Sequence, residues 1–284
     1  MKRVLTAIVL IGLVFGLVFW GNQLALIVVS CAVALLAAYE YVALTRAGDE
    51  VVPAWWMLPA VVVLFGMTYY RPLEAVLPML SALGLSLLTI VAFREAANGH
   101  LERVLPIAAA GFFGLIYVAY PLTLIPLLVA HENGVALVLF LMLVVWTGDI
   151  AALYVGKAFG RHKLAPALSP NKTWEGATAS IGGSVAIAGL LAFVAEQFGV
   201  HGSTAVHISE PLWQTLLLAA IVNVAAQVGD LLESALKRGV GVKDSGAMLP
   251  GHGGILDRID ALLVAAPVLW YLLIVKEAAG LGSF

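Results

Sequence analysis

The chain has 284 residues, 62% of them hydrophobic and 11% charged, with a formal net charge of −2. A soluble domain carries about 25% charged residues, so this composition excludes a soluble globular protein, whose surface would need far more charge. Apolar runs recur along the chain, each long enough to cross a hydrocarbon core of about 30 Å. They are continuous rather than alternating, which selects helices over barrel strands.

The N-terminus reads Met1-Lys2-Arg3 followed by an apolar stretch to Trp20. This looks like a signal peptide but lacks a small-residue cleavage site, and further spans follow at once, so it is read as an uncleaved first helix. Hydropathy predicts about nine transmembrane helices, at 4–20, 23–45, 53–70, 73–93, 104–130, 134–157, 177–198, 211–236 and 259–278. The expected fold is all-α. Cys31 stands alone inside the second run, where it reads as a small apolar residue with no disulfide or zinc role. Pro121 and Pro126 fall in the fifth span and are expected to break or kink it. With the N-terminus inside, 13 of the 15 Lys and Arg residues fall on the inner side, leaving Arg71 and Lys276 outside. That is the bias of cytoplasmic loops. It places two longer polar connections, 157–176 and 237–258, in the cytoplasm.

Charge concentrates in the back half. Residues 1–133 are therefore read as N-terminal scaffold helices and 134–284 as a catalytic region carrying the two polar loops. Asp149 lies inside the sixth span. An ionisable group there is costly and marks either function or a helix–helix hydrogen bond. In the eighth span Asn223, Gln227, Asp230, Ser234 and Lys237 recur at intervals of three and four, on one helical face. Such a stripe is a polar seam between helices or the wall of a wet cavity, and its charged lower end favours the cavity. Glu233 lies about 100° off the stripe. Beyond it come Arg238, Lys243, Asp244, His252, Gly253, Gly254, Asp257, Arg258 and Asp260. Carboxylates beside cations suit Mg²⁺ with substrate phosphates. Glycines let backbone N–H groups approach phosphate oxygens, and Lys and Arg neutralise phosphoryl charge.

The run from Ser234 to Asp260 resembles the signature of the phosphatidate cytidylyltransferases, or CDP-diglyceride synthases, in its elements S-x-x-K-R, K-D, P-x-H-G-G and D-R-x-D. The stretch from Asp149 through Gly156-Lys157 to Ser169-Pro170-Asn171-Lys172-Thr173 and Gly176 is similar to the family's other polar segment. One departure is visible: Leu153 displaces Tyr154 by one place, and no role is carried onto that tyrosine. The resemblance is specific over roughly 145–265.

The resemblance implies transfer of CMP from CTP to phosphatidate, giving CDP-diacylglycerol and pyrophosphate. Together with the residue chemistry it makes Asp230 and Asp257 the leading metal ligands, followed by Asp149 and Asp260, with Asp244 among the catalytic carboxylates. Lys237, Arg238, Lys243 and Arg258 are expected to hold phosphates. Ser169, Lys172, Thr173, Ser234, Gly253 and Gly254 are expected to meet substrate. His252 orients a phosphate, acts as an acid on the leaving group, or braces the glycine turn. Expected partners are CTP, phosphatidate and the bilayer, with no nucleic acid and a homodimer as the assembly to test. The expected cofactor is Mg²⁺, with room for a second cation, and the expected location is the inner membrane with the site facing the cytoplasm. The alternatives are a CTP-dependent polyprenol kinase, against which the intact signature argues, and a proton-coupled transporter. In a transporter the polar groups would mark a path across the membrane instead of clustering at one end.

Overall fold

A computed structural model describes residues 12, 14–49, 51–70, 76–131, 133–197, 211–248 and 253–279. It is nearly all-α. The helices are α1 (Gln23–Ala47), α2 (Ala54–Tyr70), α3 (Val76–Asn98), α4 (Leu101–Val129), α5 (Gly134–Phe159), α6 (Trp174–Gln197), α7 (Leu212–Gly239) and α8 (Leu256–Ala278). Seven of them are long and apolar enough to span a membrane, and α2, at 17 residues, is a shorter apolar helix. The first expected span lies mostly outside the described residues; its 14–20 portion is helical. Large apolar side chains such as Leu77, Phe93, Leu105, Phe193 and Val275 stand exposed. That is the exterior of a multi-pass membrane protein, whose backbone groups must be bonded internally.

The chain forms two compact units: the described residues up to Pro126 together with Leu236–Ile259, and Leu127–Ala235 together with those from Asp260 onward. The polar segment after α7 thus groups with the N-terminal helices.

In the first unit α1 begins at Asn22, whose side-chain oxygen accepts from the Ala25 N–H at 2.8 Å, filling an orphan donor of the first turn. Helices α1 to α4 pack on one another. The Tyr41 hydroxyl donates to the Ala110 carbonyl at 2.8 Å, and the Trp56 indole to Ser86 at 3.0 Å. Pro121 and Pro126 do not break the fifth span, which runs through from Leu101 to Val129. Instead a π-helical turn, Leu115–Ala119, precedes Tyr120-Pro121. Proline has no N–H to give the preceding turn, and the wider turn accommodates its ring.

In the second unit α5 and α6 pack along their length, and small residues set the spacing. A Cβ on Gly148 would lie 2.7 Å from the Ser184 hydroxyl and 2.9 Å from that of Ser180, and one on Gly183 would lie 2.8 Å from Ala151 Cβ. The connection between the two helices is an antiparallel hairpin of β1 (Lys163–Ala165) and β2 (Ser169–Thr173), with Lys163 opposite Thr173 and Ala165 opposite Ser169. This is the one departure from helix among the described elements, and the hydropathy pattern gives no sign of it.

Candidate active site

The polar residues of the second unit are positioned by α5, α6, α7 and the hairpin. Thr173 ends β2 and begins α6: its hydroxyl accepts from the Gly176 N–H at 3.1 Å and caps the helix. The Glu175 carboxylate accepts from the Arg161 N–H at 3.1 Å and the His162 N–H at 3.2 Å, and lies 2.6 Å from the His162 ring. The first turn of α6 thereby holds the entry to the hairpin. Lys172, on β2, is delivered to α7, where its ammonium lies 2.5 Å from Asp230 Oδ2.

The upper part of the α7 stripe is a seam. Asn223, 1% exposed, donates to Ser180 and Ser184 at 2.9 and 2.8 Å, and accepts from Gln227 at 2.7 Å. Gln227 also donates to the Ala177 carbonyl at 3.2 Å. The lower part is a cavity wall. Gln227 and Asp230 line a cavity of about 650 Å³ together with Asp149, Lys157, Lys163 and Lys172. The seam and cavity readings of the stripe thus apply to successive turns of one helix. Thr173 also lines this cavity; Ser169 does not. Asp260 belongs to this unit, where its carboxylate accepts from the Ala261 N–H at 2.8 Å. Glu233, off the stripe, is 1% exposed.

In the first unit the segment after α7 closes around two carboxylates, Asp257 and Glu40. The Lys237 ammonium donates to Asp257 Oδ1 at 2.7 Å, and the two side chains are only 12% and 9% exposed. Asp257 also accepts from the Ser245 N–H at 3.2 Å and, reaching back three residues, from the Gly254 N–H at 2.8 Å. The second carboxylate is one that sequence reasoning misses. Glu40, on α1, accepts from the Ser245 hydroxyl at 3.0 Å and from the Ile255 and Leu256 N–H groups at 3.0 and 2.9 Å. Gly253 takes the left-handed conformation, φ 78°, which favours glycine. A Cβ on Gly254 would fall on the Ser245 hydroxyl and the Glu40 carboxylate. Arg238, Lys243, Asp244 and Arg258 lie on the surface of this segment, and Ser234 is half-buried. His252 lies outside the described residues.

The structure therefore gathers Asp149, Lys172, Thr173 and Asp230 in one unit, and Lys237, Ser245, Gly254 and Asp257 in the other. Asp149 and Asp230 on one cavity form a donor set suited to Mg²⁺, which takes one or two carboxylates and completes its shell with water and phosphate oxygens. Among the described residues no three His, Cys, Asp or Glu side chains gather to hold a metal unaided. At Asp257 a cation would take the place of the Lys237 ammonium.

Comparison with known proteins places these residues in context. The sequence profile described as the cytidylyltransferase family matches residues 1–275. A phosphatidate cytidylyltransferase of Haemophilus influenzae is 33% identical over 95% of this chain and 97% of its own. One from Brucella suis is 44% identical over 55% of this chain and 54% of its own, and one from Staphylococcus epidermidis is 42% identical over 51% of each. The chain thus spans about half the length of the Brucella and Staphylococcus relatives it matches.

Proposed function

Because the chain belongs to the cytidylyltransferase family, we propose that it transfers CMP from CTP to phosphatidate, releasing pyrophosphate and leaving CDP-diacylglycerol in the membrane. The observation that carries this reading is the cavity on which Asp149 and Asp230 face Lys157, Lys163 and Lys172. Carboxylates and ammonium groups are interleaved there as a metal-bound triphosphate requires.

A phosphate oxygen of phosphatidate attacks the α-phosphorus of CTP, and the bond from that phosphorus to the bridging oxygen of pyrophosphate breaks. The attacking phosphomonoester is ionised at neutral pH, so no strong base is needed, and rate comes from positioning and charge stabilisation. Mg²⁺ would neutralise charge on the triphosphate; Asp149 and Asp230 would hold it, with Asp260 of the same unit as a further candidate ligand. Lys172, fixed by Asp230 at the end of β2, orients a phosphate within the cavity, and Lys157 and Lys163 add positive charge along its wall. Thr173 acts at one remove, by capping α6 and so fixing the end of the strand that carries Lys172. Lys237 supplies an ammonium held in place by Asp257. Arg238, Lys243 and Arg258 offer cations to the phosphates of either substrate, and the Gly253-Gly254 turn, whose Gly254 N–H is held by Asp257, shapes the loop that carries them.

The test is turnover by the purified full chain given CTP, phosphatidate and Mg²⁺. Pyrophosphate and lipid-linked CMP should appear in equal amounts, and excess EDTA should stop both. Folded protein that forms neither product would overturn the reading. Transfer of the γ-phosphate to a lipid alcohol would replace it with a kinase.

The same reading assigns the enzyme to the inner membrane, and the basic-residue bias of its polar loops supports their facing the cytoplasm. In a Cys31→Ala background, an impermeant thiol reagent added to intact cells should label Ser283→Cys and spare Ala247→Cys, whose position is exposed on the loop. The opposite pattern would invert the topology.

A further inference from the structure

Glu40 sits in α1, 205 residues before Ser245 of the signature loop, in the apolar setting Ala37-Ala38-Tyr39-Glu40-Tyr41. It is 2% exposed. A carboxylate buried at that depth is costly unless its oxygens are satisfied. Both are satisfied, and all from one segment. Oε1 accepts from the Ile255 N–H, and Oε2 accepts from the Leu256 N–H and the Ser245 hydroxyl. The two N–H groups are orphan donors at the start of α8, where an anion is favoured by the helix dipole. Gly246 and Gly254 let the loop close on this carboxylate: a Cβ on Gly246 would lie 2.5 Å from Glu40 Oε1, and one on Gly254 would strike Oε2.

Resting on the cytidylyltransferase reading for what the loop does, we infer that Glu40 is a positioning residue of the active site. Its carboxylate ties Ser245 to the first turn of α8, so that the Ser245 and Gly254 N–H groups meet Asp257, and Asp257 in turn holds Lys237. The front half of the chain is therefore more than scaffold: it supplies the anchor on which the signature loop closes. Glu40 need touch no substrate to do this.

Hydrogen exchange and kinetics on the full chain in detergent or nanodiscs test the inference together. In Glu40→Ala, amides in 240–258 should exchange faster than in wild type, while those of the hairpin at 163–173 keep their protection. The kcat should fall about 10–100-fold, as expected when reacting groups move by about 1 Å, with the KM for CTP changed less than about threefold. Glu40→Gln keeps one carbonyl oxygen and should recover part of both losses. If Glu40→Ala loses protection everywhere, Glu40→Gln decides, since it should still show the loss confined to 240–258. Unchanged exchange in 240–258, unchanged kcat, or chain-wide loss of protection in both variants would overturn the inference. Exchange does not depend on substrate identity, so a wild-type chain that fails to turn over CTP and phosphatidate would defeat the functional reading while leaving the anchor decided by its own arm.

Discussion

Asp230→Asn should lower kcat by at least about 10³-fold, a loss of roughly 4 kcal/mol of transition-state stabilisation, without loss of the folded protein. The substitution preserves shape and removes one charge. Two consequences follow in the same cavity. The Lys172 ammonium, 2.5 Å from Asp230 in the structure, loses the anion that fixes it. A divalent cation held in this cavity as proposed would lose one of its carboxylates, and developing charge in phosphoryl transfer is what such groups stabilise. Asp149→Asn should act in the same direction and raise the Mg²⁺ concentration needed for half-maximal rate. Thr178→Val is the control: its exposed hydroxyl donates only to the Glu175 carbonyl of its own helix, it does not line the cavity, and it should keep near wild-type turnover. Gel-filtration profile and thermal midpoint establish that the variants are folded. Near wild-type turnover by Asp230→Asn would remove this cavity from the mechanism. Glu233, which the helical wheel alone suggests as the control, is unsuitable because it is buried, and its substitution would test packing.

The second large effect is at Lys237 and Asp257. The pair is short and almost wholly shielded. Removing one partner of a buried pair strands the other charge, at a cost of about 3–5 kcal/mol, whereas removing both restores much of that loss. Lys237→Met and Asp257→Asn should each lower the thermal midpoint measurably. The double variant should recover much of the stability, and turnover should be absent from all three. That pattern separates the structural role of the pair from its chemical one. Full turnover in the stabilised double variant would show that the pair only holds the loop. Equal destabilisation of the double variant would show that the charges are not coupled as the geometry requires.

The spans were legible because burial in lipid forces long apolar runs, and the run ends at Gly48, Asn98 and Gly239 fall close to where hydropathy drops. The signature residues were legible because charge is so rare elsewhere that its clustering stands out. The hairpin was not. Lys163-Leu164-Ala165 and Ser169 to Thr173 have little alternation and few β-branched residues, and the Glu175 contacts that hold the strand entry are tertiary. The pairings within the site were also hidden, since periodicity gives the face of α7 but not which lysine meets Asp230. Glu40 carries a readable signal, a lone carboxylate within an apolar helix. Charge density nevertheless points to the back half, and the partners of Glu40 lie at the far end of the chain.

That separation has a consequence for biogenesis. The three hydrogen bonds to Glu40 come from residues 205 to 216 positions later. At about 5–20 residues per second, the ribosome needs roughly 10–40 s to make that stretch of chain. For that interval α1 carries a carboxylate whose eventual donors do not yet exist. Until α8 arrives that carboxyl has to be hydrated, protonated or paired elsewhere. A nascent chain cut short before Ser245 would leave Glu40 without these three donors.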